Sequence, residues 1–221
     1  MINERAIIAP PGNTRVSLYG DYILPHFINL SMRKGDLTPY GERVISRAAG
    51  RVLEIGIGSG HNLQLYGESV EELLGLEPSP QLMSMAQRES VRCRRTLTLI
   101  AGSAEAIPME DHYVDTVVTT WTLCSIPRAG DALTEMRRVL RPSGQLLFVE
   151  HGLAPEATVQ RWQERLTPMW KRIGGGCHLN RPIRTLIESA GFSIADLKTG
   201  YMRGPRPLTY MYEGRAAPAP I

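Results

Sequence analysis

Between positions 52 and 60 the chain reads Val52-Leu53-Glu54-Ile55-Gly56-Ile57-Gly58-Ser59-Gly60, an apolar stretch of strand type that runs through one acid into a turn holding three glycines. Glycine lacks Cβ, so the backbone there can take positive φ and approach a bound molecule, and a helix opening after the turn offers unpaired N–H groups. Strand, glycine turn and helix form the opening unit of a parallel α/β sheet, with the ligand at the carboxyl edge of the strands. The spacing narrows the ligand. A dinucleotide fingerprint, G-x-G-x-x-G, needs glycine at position 61, where this chain has His61. G-x-G-x-G with a carboxylate two residues upstream suits a ligand bearing an ammonium group rather than a pyrophosphate.

S-adenosylmethionine is such a ligand, and from this turn onward the chain resembles the class I S-adenosylmethionine-dependent methyltransferases. The resemblance continues in Leu74-Gly75-Leu76-Glu77-Pro78-Ser79-Pro80 and in Ala101-Gly102-Ser103-Ala104-Glu105-Ala106-Ile107-Pro108. It implies that Glu54, Gly56, Gly58 and Gly60 hold the methionine half of the cofactor and that Glu77 takes both ribose hydroxyls. Geometry agrees, because an acid closing a second parallel strand lies beside the glycine turn of the first. The third segment is similar to the family's adenine-binding stretch, with Ser103 in place of its usual aspartate. The ring is then expected to be read by the backbone N–H groups of Ala104 and Glu105 and packed by Leu82. Thr120 and Trp121 are expected along the methionine arm. Each feature alone has a plainer reading, since glycine turns are common in α/β proteins and acids at strand ends are commonly just solvated. Their order and spacing together carry the assignment.

The 221 residues can bury a substantial core but do not make two comfortable domains. One domain is expected: an N-terminal arm and helical cap (1–50), a cofactor-binding core (51–152), a lid insertion (153–179), a C-terminal helix and strands (180–213) and a mobile tail (214–221). With 25 basic against 22 acidic residues, a net charge of +3 gives no reason to propose nucleic acid as a partner. Cys93, Cys124 and Cys177 are odd in number and lack a Cys-x-x-Cys pair, which argues against a disulfide scaffold or a structural zinc site and for a reducing cytoplasm; no metal is expected. Pro10-Pro11-Gly12 interrupts the N-terminus before a signal-type apolar core forms, and no run has the length of a membrane span. Peripheral membrane contact is left to the short apolar stretch from Tyr19 to Leu30, which holds Tyr22, Ile23, Leu24, Phe27 and Ile28, is broken by Pro25 and is expected rather to be buried over the cofactor; the oligomeric state is left open.

Periodicity and caps predict a doubly wound, mostly parallel, seven-stranded Rossmann-like sheet. A kinked helix is expected over 16–32, then a helix with Thr38 as N-cap, Pro39 at its first position and Gly50 as its stop. Further helices are expected over 62–68, after the cap Ser79, over 131–140 and over 180–190. Strands are expected at 73–77, 97–101, 114–120, 145–150, 192–200 and 208–213, the last antiparallel if the family topology holds.

What faces the methyl group decides the acceptor. Leu123-Cys124-Ser125, Leu140-Arg141-Pro142, Val149-Glu150-His151, the paired Trp162 and Trp170, and Gly176-Cys177-x-Leu179-x-Arg181 are similar to the alkyl thiol methyltransferase group. The resemblance implies methyl transfer to a small-molecule acceptor, a thiol sulfur first. An N-, O- or C-acceptor such as a phospholipid head group, quinone or natural product stands behind it, and a non-catalytic cofactor-binding module is the alternative of another class. His151, directly after the fifth strand, is the expected proton acceptor; its plainer role is to satisfy a strand-end carbonyl. Cys124, Trp162, Trp170 and His178 are expected around the substrate, Cys124 and Cys177 as packing. The glycines 174–176 after an amphipathic helix are expected to hinge a lid that excludes water.

Overall fold

The computed structural model describes residues 37–93 and 95–220; the expected N-terminal arm and the helix over 16–32 lie outside them. Helix α1 (Thr38–Ile45) leads into β1 (Gly50–Ile55), followed by β2 (Val70–Glu77), α2 (Pro80–Glu89), β3 (Leu97–Ala101), β4 (Val114–Thr120), α3 (Ala129–Val139) and β5 (Leu140–His151). The chain continues through α4 (Ala157–Ile173), α5 (Ile183–Ser189), β6 (Phe192–Tyr201), the single-turn α6 (Arg206–Thr209) and β7 (Tyr210–Pro218). The seven strands form one sheet in the order β3-β2-β1-β4-β5-β7-β6. β1 to β5 are parallel, and β7 runs antiparallel to both of its neighbours. The order reverses between β1 and β4, and the crevice at that reversal is where an open α/β sheet takes its ligand.

The two-residue period of the strands sorts the core onto two faces. Leu53, Ile55, Leu74, Leu76, Val117, Leu146 and Phe148 point to one face, where α3 covers them with Leu133, Met136 and Val139 and α5 with Ile183 and Ile187. Val52, Leu73, Val118, Leu147 and Val149 point to the other, under Val44 and Ile45 of α1 and Met83 and Ala86 of α2. Ser79 caps α2, its hydroxyl accepting from Leu82 N–H at 3.4 Å, with Pro80 at the first helical position as its fixed φ favours. Among the described residues no helix is long and apolar enough to cross a membrane.

Several boundaries differ from expectation. The stretch 62–68 forms successive turns rather than a helix, because Leu63 and Leu65 donate to carbonyls three residues back (Gly60 and Asn62) while the Asn62 and Tyr66 side chains turn inward. Leu37, not Thr38, caps α1, and the helix ends at Ile45; Gly50 instead opens β1 at φ +68. β5 begins at Leu140, five residues before the expected strand, with its register shifted around the Pro142-Ser143-Gly144 stretch. α5 starts at Ile183. The expected mobile tail is corrected most: residues through Pro218 belong to β7, paired with both β5 and β6. Ala216 is fully buried there, and a Cβ on Gly214 would stand 2.3 Å from the Asp196 carbonyl oxygen, so the tail is close-packed sheet.

Candidate active site

A cavity of about 310 Å³ opens over the carboxyl ends of β1, β2 and β4. Every residue expected to hold the cofactor lines it except Gly60. Gly60, at φ +83, serves packing instead, since a Cβ there would lie 2.8 Å from Leu63 Cδ1 and 3.2 Å from Ala86 Cα of α2. Gly56 and Gly58 shape the cradle. At φ +65 a Cβ on Gly56 would meet Thr122 Cγ2 at 2.5 Å, whereas one on Gly58 would meet nothing closer than 3.9 Å, which leaves that side open to a ligand.

Two buried acids form the floor. Glu77 closes β2 and accepts from Gly58 N–H at 3.0 Å and Ser79 N–H at 2.9 Å, so the same carboxylate fixes the glycine turn and the start of α2. Burial raises its pKa, and the two N–H donors oppose the rise. Glu54 closes β1 at 1% exposure and accepts from Asn62 Nδ2 at 2.6 Å and Tyr66 Oη at 2.8 Å. Burial pushes its pKa up to about 7 against those two hydrogen bonds. A cationic group brought beside it would favour the ionised form. An open glycine cradle, one acid at the turn and a second closing the neighbouring strand fit the ammonium and ribose of S-adenosylmethionine, and the cavity lies in the range of small-molecule sites.

At the third strand's end, Ser103 and Glu105 face the cavity but are already engaged with each other. The Ser103 hydroxyl accepts from Glu105 N–H at 3.2 Å and donates to Glu105 Oε2 at 3.1 Å. Glu105 N–H, expected to read adenine, here donates to the Ser103 hydroxyl, which leaves Ala104 N–H as the other expected donor at this segment. Glu105 Oε1 in turn accepts Arg128 N–H at 2.8 Å, joining this segment to the start of α3 and lowering its own pKa.

The opposite wall comes from the loop after β4 and from the end of α4. Trp121 takes φ +51, rare for an aromatic residue, and donates its N–H to Val149 O at 2.7 Å; Trp121, Thr122, Ser125, Ile126, Pro127 and Gly175 line the cavity. Glu150 braces this loop from below. Fully buried, it accepts at one oxygen from Thr119 Oγ1 (2.8 Å), Thr122 N–H (3.0 Å) and Leu123 N–H (3.1 Å). Desolvation raises its pKa against those donors.

The residues expected around the acceptor divide. Cys124, His151 and His178 are not in the cavity wall, and neither Trp162 nor Trp170 reaches it. His151 is 8% exposed, with Nε2 3.1 Å from Cys177 Sγ, so its ring lies behind the wall and not beside an acceptor within it. Cys124 is buried next to both, and Cys177 and burial push its thiol pKa up. His178 ties the two segments together, its N–H donating to Cys124 O at 2.8 Å. Trp162 is 55% exposed on the outer face of α4, near the Arg165 guanidinium. α4 itself is pinned by buried Gln163, which donates to Gly152 O (2.9 Å) and Pro207 O (3.2 Å) and accepts from Ala154 N–H (3.0 Å). Sequence reasoning placed Ser125, Glu150 and Gly175 near the acceptor but passed over Asn62, Tyr66 and Gln163 as site residues. Asn62 and Tyr66 had one visible signal, polar side chains four apart directly after the glycine turn.

Comparison with known proteins identifies the family. Residues 53–148 match the model of a methyltransferase domain family. The chain is 34% identical over 178 residues to the thiol S-methyltransferase TMT1B of Homo sapiens, covering 77% of this chain and 70% of that protein. It is 35% identical over 153 residues to the Rattus norvegicus thiol S-methyltransferase TMT1B, covering 66% of this chain and 62% of that protein. In fold it is similar to the putative methyltransferase solved in complex with the Haloferax volcanii Trm112 methyltransferase activator, with a TM-score of 0.69 and 17% identity over 93% of this chain and all of that one. By this sequence likeness and by the cavity at the end of β1, the chain is a class I S-adenosylmethionine-dependent methyltransferase close to the thiol S-methyltransferases.

Proposed function

We propose that the chain methylates the sulfur of a small thiol. The observation that carries this reading is the character of the wall opposite the acids: Trp121, Thr122, Ser125, Ile126, Pro127 and Gly175 include no carboxylate, imidazole or amine, and the imidazole that does line the cavity, His61, belongs to the glycine-turn segment beside Glu54. Such a wall favours an acceptor that ionises without a strong base. A thiol with a pKa of about 8.5 is already a few per cent thiolate at neutral pH, while a phenol or alkylammonium acceptor needs its proton removed. The likeness to thiol S-methyltransferases supports the same choice.

When bound, S-adenosylmethionine supplies a methyl group on a positively charged sulfur that departs as a neutral thioether. In this reading Glu77 accepts from the ribose hydroxyls with the lone pairs that Gly58 and Ser79 leave free, and Glu54 faces the ammonium. Leu82 packs on the adenine, and Thr120 and Trp121 border the methionine arm. The chain's remaining task is to align the thiolate with the methyl and keep water out, which accounts for much of the rate of such a displacement. The acceptor's proton goes to solvent. Three free cysteines suit a reducing compartment, and a cytoplasmic location with a small-molecule acceptor is part of the proposal.

The test is transfer of labelled methyl to an alkyl thiol, an amine, a phenol and phosphatidylethanolamine vesicles. Thiol should be preferred, with kcat/KM rising with pH toward the thiol's own pKa. Preference for phenol, amine or vesicles would replace the thiol reading, and cofactor binding with no transfer to any of them would make the chain a binding module.

A further inference from the structure

Behind the cavity wall, three side chains from remote parts of the sequence converge. Cys124 lies in the loop after β4, His151 ends β5, and Cys177 follows the glycines after α4; their Sγ, ring nitrogen and Sγ atoms all lie within 4.8 Å of one another. Their exposures are 2%, 8% and 8%, and methyl transfer in the cavity makes no use of them. A buried cysteine alone is ordinary packing, but an imidazole enclosed with two thiols is a polar cluster that packing does not require. Two thiols and an imidazole with their ligand atoms this close together form a ligand set.

We propose that Cys124 Sγ, Cys177 Sγ and His151 Nε2 bind one divalent metal ion of the zinc class. Zinc takes thiolate at about 2.3 Å and imidazole nitrogen at about 2.0–2.1 Å in a tetrahedron, so such donors stand roughly 3.5–4 Å apart. A set already within 4.8 Å reaches that spacing by small side-chain rotations. The positions are held before any ion arrives, because the His178 N–H to Cys124 O bond and the strand end of β5 fix all three backbones.

Donor type and charge select the ion. Thiolate and imidazole ligands disfavour magnesium and calcium, which prefer oxygen. On coordination each thiol releases its proton to solvent, so two thiolates, a neutral imidazole and a divalent cation sum to zero charge, which a buried site tolerates; a monovalent ion would leave an uncompensated negative charge there. The other buried charges alongside are the Glu150 carboxylate and the Arg181 guanidinium, which offset each other. Three protein donors leave one tetrahedral position to a small ligand, the arrangement of open rather than fully closed zinc sites.

The test uses the whole chain, purified anaerobically under reducing conditions. Elemental analysis is expected to find about one zinc per chain after zinc loading and dialysis, and cobalt added to the metal-free protein should give a thiolate-to-cobalt charge-transfer band with tetrahedral visible bands. Cys124→Ser and Cys177→Ser should each lower zinc retention by at least roughly tenfold, while Cys93→Ser, whose thiol is outside the cluster, retains it. The cobalt spectrum is read on wild-type protein and does not depend on the variants folding. Zinc well below stoichiometry with all three thiols titrating as reduced, a cobalt spectrum without thiolate bands, or equal retention in folded Cys124→Ser protein each overturns the proposal.

Discussion

The two walls of the cavity are built by different means. The cofactor wall is local: between Glu54 and Leu82 the chain supplies the glycine turn, both acids and the groups that hold them, Asn62 and Tyr66 on Glu54 and Gly58 and Ser79 on Glu77. The opposite wall is convergent. Its loop after β4 is held by Glu150 from β5, and the segment after α4 is tied to Cys124 through His178. The local wall carries the two acids, Glu54 and Glu77. The convergent wall is neutral toward the cavity and rests on buried polar groups behind it. In the proposed reading, most of the polar recognition of the cofactor comes from a short stretch of sequence, and the acceptor space depends on the tertiary fold.

The largest expected effect lies on the local wall. In Glu77→Ala the ribose partner and the clamp on Gly58 and Ser79 are lost together. Removing a carboxylate with several charge-assisted bonds should weaken S-adenosylmethionine binding by roughly 2–4 kcal/mol, read by calorimetry. Unchanged affinity in a folded Glu77→Ala protein would detach this acid from the site. NAD binding instead would overturn the match between glycine turn and ligand.

Next is the pH response of Glu54. Its pKa in the fold is about 7, above the ordinary carboxylate value, because it is buried. Between roughly pH 4.5 and 7 the unfolded chain gives up this proton while the folded chain keeps it, so the unfolded state binds fewer protons and stability falls as pH rises. A shift of this size amounts to at most about 3 kcal/mol, reached above pH 7. Glu54→Gln should remove that slope in denaturant titrations of the ligand-free protein and be more stable than wild type at pH 8. It should also bind S-adenosylmethionine more weakly there, since the ammonium loses an ionised partner. A wild-type slope preserved in the variant would assign the pH response to another group.

Legibility in the sequence follows the same division. β3 and β4 were readable to the residue because alternating β-branched runs are bounded by turns, and the Ser79-Pro80 start of α2 because cap chemistry is local. The missing helix at 62–68 was not, because tertiary bonds from Asn62 and Tyr66 to Glu54 override a helical pattern there. Nor was the strand character of 214–218, which rests on pairing with residues far away in sequence. His151 reads as a cavity residue from its position at a strand end. Its burial against Cys177 depends on where α4 returns the chain.

Gly56 is where the two walls touch, and it measures their coupling. Alanine there should cost about 1–2 kcal/mol for the left-handed backbone alone, with a further loss from contact with the Thr122 side chain at 2.5 and 2.8 Å. Thr122→Ala removes both of those atoms. A double-mutant cycle read by denaturation should recover roughly 1 kcal/mol in the pair. Strict additivity would mean that the two walls are independent at this contact.

The smallest effect is expected at Trp162, and it bears on whether the convergent wall extends to the outer face of α4. The indole is 55% exposed, the Arg165 guanidinium lies 5.8 Å from its ring, and it does not border the cavity. Trp162→Ala should therefore change stability by no more than about 0.5 kcal/mol, as surface substitutions generally do. Turnover on a small thiol should stay near the wild-type value. The adjacent Gln163 provides the contrast. Its side chain satisfies three backbone groups, two of them in buried bonds, and Gln163→Ala removes those partners, at a cost of roughly 1–3 kcal/mol. Limited proteolysis of the ligand-free protein should accordingly show α4 protected in Trp162→Ala and cleaved sooner in Gln163→Ala. Early cleavage of wild type within α4, suppressed by S-adenosylmethionine, would support the expected mobile lid. A Trp162→Ala loss in kcat/KM confined to bulky thiols would extend the acceptor surface beyond the cavity and onto this helix face.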